Sequence, residues 1–343
     1  MSRVLIALLG LGLIGSPAHG ITLTQVTTDP GTDLHPSWTP DGQTLVFEAN
    51  RSGTRQLYKI PATGGVAQQI TTSSQHNDHP EVSPDGTYIA FRKRVGSAQH
   101  IYRIGINGGA ETALTSGLIE DWGPTFSPDG GTIYFARKYN LDEWDIFKVP
   151  AAGGPTQIVM SAPDYHGYPS VSPDGLWIAV EGGPFAGVDI NIFEFEVANP
   201  SNIRQVSFET ANTGQPAYKT NGSRVGGVSR RLNNHLDLYE WDRTSLGHAR
   251  VTFDAEEIAD AGSVFPAYSP DGTKVAFASK RVTGDYNIWV LDISEQPIPV
   301  DLLSFQVSST DDGVLVSWRS AGDASDVAGY HVHKGPEVGH LER

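Results

Sequence analysis

Six short segments of the chain end in proline, and the residues just before each proline include most of those that could do chemistry. Three positions upstream stand Asp33, Asn77, Asp121, His166, Thr213 and Ser263; immediately upstream stand His35, His79, Gly123, Tyr168, Gln215 and Phe265. Imidazole nitrogens and carboxylate oxygens together suit a transition-metal ion, so His35, His79 and His166 are candidate ligands, with Asp33 and Asp121 beside them. His166 lies two residues earlier in its segment than the other two histidines, which argues against one shared ligand set. The same side chains also serve as loop caps that accept backbone N–H bonds. A third use is recognition of a peptide or glycan, with Trp122, Tyr165 and Tyr168 as stacking surfaces. Asp142-Glu143-Trp144-Asp145 reads as an exposed loop between strands, and Gly182 to Gly187 as an enlarged loop able to reach a partner. The many Asp-Gly pairs lack the Asp-x-Asp-x-Asp-Gly spacing of a calcium loop.

These segments recur because the chain does. Pro40-Asp41-Gly42 returns at Pro84, Pro128, Pro173 and Pro270, with a worn copy at Thr220-Asn221-Gly222, in steps of 44, 44, 45, 47 and 50 residues. That period accommodates four short strands with their turns. Proline presets φ for a type I turn, Asp suits the next place, and glycine takes the left-handed fourth, so each copy is a hairpin corner. Short apolar runs follow, such as Leu45-Val46-Phe47 and Val275-Ala276-Phe277, and then a second aromatic strand such as Leu57-Tyr58-Lys59-Ile60. Alternation over so few residues predicts strands. Gly64-Gly65, Gly108-Gly109 and Gly153-Gly154 turn the chain into a fourth strand, as at Gln68 to Thr72. A matching segment, Thr24-Gln25-Val26-Thr27, precedes the first repeat, and the sixth repeat lacks its fourth strand. The expected fold is all-β: a six-bladed β-propeller of four-stranded antiparallel blades over residues 21–297, closed by an N-terminal strand that covers an open edge. The turns then occupy one end of the innermost strands, and the proline segments crowd the other, around the mouth of the central channel.

Composition agrees with a turn-rich globular chain: 343 residues, 38 Gly, 22 Pro and 18% charged. Arg3 and the apolar run Val4 to Ile14, followed by small residues, read as a signal peptide over residues 1–20; the run is too short to span a bilayer. No cysteine is present, which excludes disulfides and attachment of lipid to a cysteine. A net charge of −15 argues against a nucleic-acid partner or an anionic membrane. After Pro297 come three strand-like runs, Leu303 to Val307, Val314 to Trp318 and Gly329 to His333. They are similar to the opening half of a fibronectin type III domain, which needs about 100 residues. Residues 298–343 therefore read as a partial segment of that kind, cut short.

The pattern Pro-x-aromatic-Ser-Pro-Asp-Gly, an apolar strand and then an Ile-Tyr strand resembles the TolB-type β-propeller repeat, a relative of the WD-repeat propellers. The resemblance covers about residues 21–293. It implies an exported protein in which the propeller binds a protein partner, as TolB binds a peptidoglycan-associated lipoprotein in the Tol-Pal envelope system. The α/β domain that precedes the propeller in TolB has no counterpart in this sequence. Related propellers also precede serine peptidase domains, but no Gly-x-Ser-x-Gly elbow is present here. The expected function is a periplasmic or secreted, non-enzymatic monomer without a cofactor. Its partner would be a protein or peptide bound at a rim of Asp33, His35, Asn77, His79, Asp121, Trp122, His166, Tyr168, Thr213 and Gln215. Two alternatives remain: a metal-assisted enzyme acting on a carbohydrate or lactone through His35, His79 and His166, or a surface scaffold within a longer chain.

Overall fold

The computed structural model describes residues 22–138, 144–161, 165–183, 190–208, 212–230, 236–252, 262–282, 284–294, 302–310 and 313–320; residues 165, 166 and those from 302 onward are described by backbone alone. The expected signal segment (1–20), Asp142 and Glu143, loop residues 184–187 and the third tail strand lie outside these residues. All regular structure among the described residues is strand, and no helix is long and apolar enough to cross a membrane.

Strand β1 (Leu23–Gln25) stands alone before the repeats. The first repeat folds as β2 (Asp33–Trp38), β3 (Thr44–Ala49), β4 (Gln56–Pro61) and β5 (Gln68–Gln69), and the second as β6 (Asn77–Val82), β7 (Tyr88–Val95), β8 (Ala98–Gly105) and β9 (Thr112–Ala113). The third comprises β10 (Glu120–Phe126), β11 (Thr132–Lys138), β12 (Trp144–Pro150) and β13 (Gln157–Met160). The fourth comprises β14 (Tyr165–Val171), β15 (Trp177–Gly183), β16 (Asn191–Glu196) and β17 (Ile203–Gln205). In the fifth are β18 (Thr213–Tyr218), β19 (Arg224–Ser229), β20 (Asp237–Asp242) and β21 (His248–Arg250), and in the sixth β22 (Ser263–Tyr268), β23 (Lys274–Ser279) and β24 (Asn287–Asp292). In the tail, β25 (Leu302–Thr310) pairs antiparallel with β26 (Gly313–Ser320).

The architecture is an all-β propeller with antiparallel four-stranded blades. Six separate sheets were expected, and the structure differs. Four sheets stand apart, those of the first, fourth, fifth and sixth repeats, while the second and third repeats run together as one eight-stranded sheet. The join is a single parallel bridge between Gln99 and Glu120, with the Gln99 N–H donating to the Ile119 carbonyl at 3.1 Å. It arises because β7 and β8 are 8 residues long where β3 and β4 have 6, so their far end reaches the start of β10.

Each Asp-Gly corner repeats the same chemistry. At the second corner Ser83 donates to Asp85 Oδ1 at 2.6 Å, Asp85 accepts the Thr87 N–H, and Ser83 Oγ accepts the Tyr88 N–H. In the worn copy Asn221 does the work of Asp, accepting the Ser223 N–H at 3.1 Å. The corner glycines have φ between 66° and 73°, the left-handed region where a Cβ is strained. They also nestle against the corner of the preceding repeat: a Cβ on Gly86 would stand 3.2 Å from Pro40, and one on Gly42 would stand 3.8 Å from Pro270, so the corners form a closed ring.

Strand alternation sends successive side chains to opposite faces. Val46 joins Ile89 and Phe91 of the second repeat, while Leu45 and Phe47 join Val264 and Ile288 of the sixth. Such an apolar cluster fills every gap between neighbouring repeats around the ring. The outer place in the sixth repeat is taken by β1, with Thr24 opposite Val290. There Thr27 Oγ1 accepts the Ile288 N–H at 2.9 Å, just as Thr71, Thr115, Ser207 and Thr252 accept those of Leu57, Ile101, Ile192 and Leu238. Replacing Thr71 with Val keeps the shape but strands the buried Leu57 N–H. We expect Thr71→Val to lose about 1–3 kcal/mol of stability, read as a lower urea midpoint at unchanged m-value; an unmoved midpoint would show that the hydroxyl is dispensable.

Candidate functional site

Each innermost strand carries a proline in its middle, and proline has no N–H to give to the ladder, so pairing breaks there. A register shift occurs at this point in all six, for example between Leu34 and Ser37 and between Asp78 and Glu81. The residue before the proline takes up the shift in a left-handed conformation: His35, His79, Gly123, Tyr168, Gln215 and Phe265 have φ of 51°, 52°, 56°, 47°, 55° and 56°. For the five with a Cβ this costs about 1–2 kcal/mol each. The kink turns these side chains toward one another across the channel. The His35 and Phe265 ring centroids lie 3.6 Å apart, those of His35 and His79 3.8 Å, and those of Tyr168 and Phe265 6.0 Å. His79 also meets the edge of Trp122 at 5.2 Å.

The N–H groups freed by the kink find acceptors on neighbouring repeats. Glu48 Oε2 takes the His79 N–H at 2.7 Å, Glu181 Oε2 takes the Gln215 N–H at 3.0 Å, and Gln215 Oε1 takes the Phe265 N–H at 2.8 Å. Glu48 and Asp78 were missed from sequence. The available signal was a carboxylate inside an otherwise apolar strand, as in Leu45-Val46-Phe47-Glu48-Ala49.

Around Glu48 the polar groups concentrate. Its Oε2 lies 3.0 Å from His35 Nδ1 and 3.8 Å from His79 Nδ1, and its Oε1 lies 3.3 Å from Arg55 Nη1. His79 Nδ1 also stands 3.3 Å from Asp78, whose carboxylate is gripped by Arg92 at 2.5 and 2.7 Å. The Arg92 guanidinium lies in turn 3.7 Å over the Trp122 ring. Burial works to raise the Glu48 and Asp78 carboxyls, but His35 and His79 beside the first, and Arg92 and His79 beside the second, outweigh it and hold both below the usual range. Burial, aided by the nearby His35, lowers His79 from 6.5 to about 4, so its imidazole is neutral at pH 7. Burial also pushes the Tyr168 phenol up.

The residues expected to form an open polar rim are placed differently. Asp33, Asn77, Asp121, Thr213 and Ser263 have no solvent exposure. Arg51 donates to both Asp33 oxygens at 2.8 Å, and Arg137 clamps Asp121 at 2.7 and 3.0 Å. Asn77 donates to Gln56 and Ser73, and Thr213 to Ser229. Their hydrogen-bonding capacity is taken up by side chains, mostly of the same repeat, rather than by the backbone N–H groups that loop caps would serve. His35, Trp122, Tyr168, Gln215 and Phe265 stay partly exposed. His166 is paired through its backbone with Gly182, and the side chains of Tyr165 and His166 lie outside the described ones. The structure thus brings His35 and His79 together around Glu48 rather than around Asp33 or Asp121.

Residues 16–154 match the family model of the TolB beta propeller domain. A 46-residue segment is 39% identical to the Tol-Pal system protein TolB of Bordetella pertussis, covering 13% of this chain and 10% of that protein, so the match spans about a tenth of the curated relative. A structure of putative TolB from Agrobacterium tumefaciens superposes with a TM-score of 0.58 at 20% identity, over 79% of this chain and 96% of that one. An oligogalacturonate lyase in complex with manganese gives a TM-score of 0.58 at 16% identity, over 81% and 95%. At such identities the structural likeness is one of fold, and propellers of this fold include both TolB and an enzyme.

Two outcomes are expected. Because the folded His79 pKa lies below its ordinary 6.5, the unfolded chain binds a proton between pH 6.5 and 4 that the folded chain refuses. Stability contributed there is full above pH 6.5 and lost on acidification toward pH 4, by roughly 3 kcal/mol. Comparing denaturation curves of the wild type and His79→Gln across that window should show a shallower acid decline in the variant; parallel curves would contradict a buried neutral imidazole. Arg137→Met leaves the Asp121 carboxylate buried and unpaired. It should cost about 3–5 kcal/mol, visible as a large drop in Tm.

Proposed function

We propose that the protein is an exported, monomeric, non-enzymatic propeller that holds a protein or peptide partner at the mouth of its channel, in the periplasm or outside the cell. The observation that carries this reading is the floor of the channel. The partly exposed rings of His35, Tyr168 and Phe265, with the Gln215 amide bonded to the Phe265 N–H, are held by a strained backbone and make a rigid surface with few rotamers left to freeze. Aromatic anchors of this kind dominate protein recognition. The match of residues 16–154 to the TolB domain supports a partner within the cell envelope. We count the wheel as six blades over residues 21–297, the eight-stranded sheet being two blades joined at Gln99. The closed ring of six corners and the apolar cluster in each gap support that count. Residues 1–20 act as a signal peptide, and residues 298–343 are a partial fibronectin type III-like segment.

A second reading, a metal-assisted enzyme acting on a carbohydrate or lactone, is favoured by the convergence of His35 and His79 on Glu48. One experiment separates the two. A photo-crosslinking residue at position 215, irradiated in cells, should yield a discrete adduct with one envelope or extracellular protein. Tyr168→Ala should weaken binding of that partner about 30-fold, the loss of one aromatic anchor worth about 2 kcal/mol. Absence of any adduct, together with turnover of oligogalacturonides or sugar lactones that His79→Gln abolishes, would replace this reading with the second.

A further inference from the structure

The meeting of His35, Glu48 and His79 has features that partner recognition does not account for. They come from β2, β3 and β6, and one ligand-type atom of each lies within 4.8 Å of the others. Both imidazole nitrogens of His35, Nε2 of His79 and Oε1 of Glu48 are buried without a hydrogen-bond partner. His35 Nδ1 approaches Glu48 Oε2 at 3.0 Å, an ion-pair distance. Each buried polar group left without a hydrogen bond costs about 1–3 kcal/mol, and native interiors hold few of them. Four at one point call for a shared partner.

A small divalent cation is the partner that fits. Bonds of about 2.0–2.2 Å to nitrogen and oxygen place neighbouring ligand atoms about 3–3.5 Å apart. The 3.0 and 3.8 Å separations of His35 Nδ1 and His79 Nδ1 from Glu48 Oε2 show that the three side chains approach to about that range. Such an ion would bond to His35, to His79 through Nε2, which lacks a hydrogen-bond partner, and to the Glu48 carboxylate. Asp78, fixed by Arg92 and 3.3 Å from His79 Nδ1, supplies the outer carboxylate that orients a ligating imidazole. The His35 side chain is 12% exposed, but both of its nitrogens are buried, so the ion would be shielded from solvent. Among the described residues the cation competing at Glu48 Oε1 is Arg55, whose side chain is 39% exposed and also lies 4.0 Å from Asp78.

We propose that His35, His79 and Glu48 bind one divalent first-row transition-metal ion in the channel wall, with Zn²⁺ as reference. Two nitrogens and one carboxylate form a borderline donor set that suits Zn²⁺ and Co²⁺ over Ca²⁺ or Mg²⁺. The ion would sit beneath the aromatic floor, and its presence is measurable apart from any partner.

The test uses the full chain, freed of metal with EDTA and titrated with Zn²⁺ by calorimetry, then with Co²⁺ by visible absorption. One equivalent should bind, raise Tm, and give the strong ligand-field bands of a low-symmetry Co²⁺ site. His35→Gln and Glu48→Gln, each checked for folding by circular dichroism, should weaken binding by roughly 100-fold or more, since outer partners alone are worth about 10–100-fold. His248→Gln, in β21, should bind as the wild type does. Arg55→Met should bind about 2- to 5-fold more tightly, because an exposed competing charge is removed. Substoichiometric binding, wild-type affinity in folded His35→Gln, or weaker binding in Arg55→Met would overturn the assignment.

Discussion

A proline in the middle of every innermost strand is the constraint on which this channel depends. Without an N–H to give, each proline interrupts the ladder, and the residue before it adopts a left-handed kink that drives its side chain toward the axis. The interruption also frees a backbone N–H, which must find an acceptor in a dry interior. Glu48, Glu181 and Gln215 meet that need from neighbouring repeats. A local defect in one strand thereby becomes a bond between repeats. The strain at His35, His79, Tyr168, Gln215 and Phe265 persists because packing on both sides leaves those residues no alternative.

Polar groups in this propeller divide by place. At the solvent end, Asp41, Asp85, Asp129 and Asp271 fold back on their own turns, and the hydrogen bonds from the neighbouring hydroxyl and N–H lower their carboxyls. At the channel end, Asp33, Asp78 and Asp121 are buried, and each is held by an arginine on the strand beside its own or just after it. Buried pairs add little net stability over apolar packing, but removing either partner is costly. Their effect is to hold the inner strands in one register while the gaps between repeats stay apolar. Where Glu48 meets two imidazoles, four buried polar atoms gather without a hydrogen-bond partner.

The corners, the alternating strands and the closing strand were legible in the sequence because each is coded locally. Pro-Asp-Gly sets a turn within four residues, and Thr24 to Thr27 repeats the pattern of Gln68 to Thr72 closely enough to show where it pairs. The fusion of the second and third repeats was not legible. It depends on two extra residues at the ends of β7 and β8, which look like loop until β10 starts beside them.

The sequence by itself determined the propeller class, the repeat register, and that histidines and carboxylates would crowd one end of the inner strands. Tertiary structure alone decided what those residues face. Asp33, Asn77 and Asp121 turned inward to partners on other strands, because a buried polar group without a bond is too costly to leave. His35 and His79 became neighbours around Glu48, a residue thirty-one positions before His79 that no spacing rule connects to it. Periodicity reports which face of a strand a residue occupies, whereas the kink before each proline and the repeat packed against it set which groups meet in the channel.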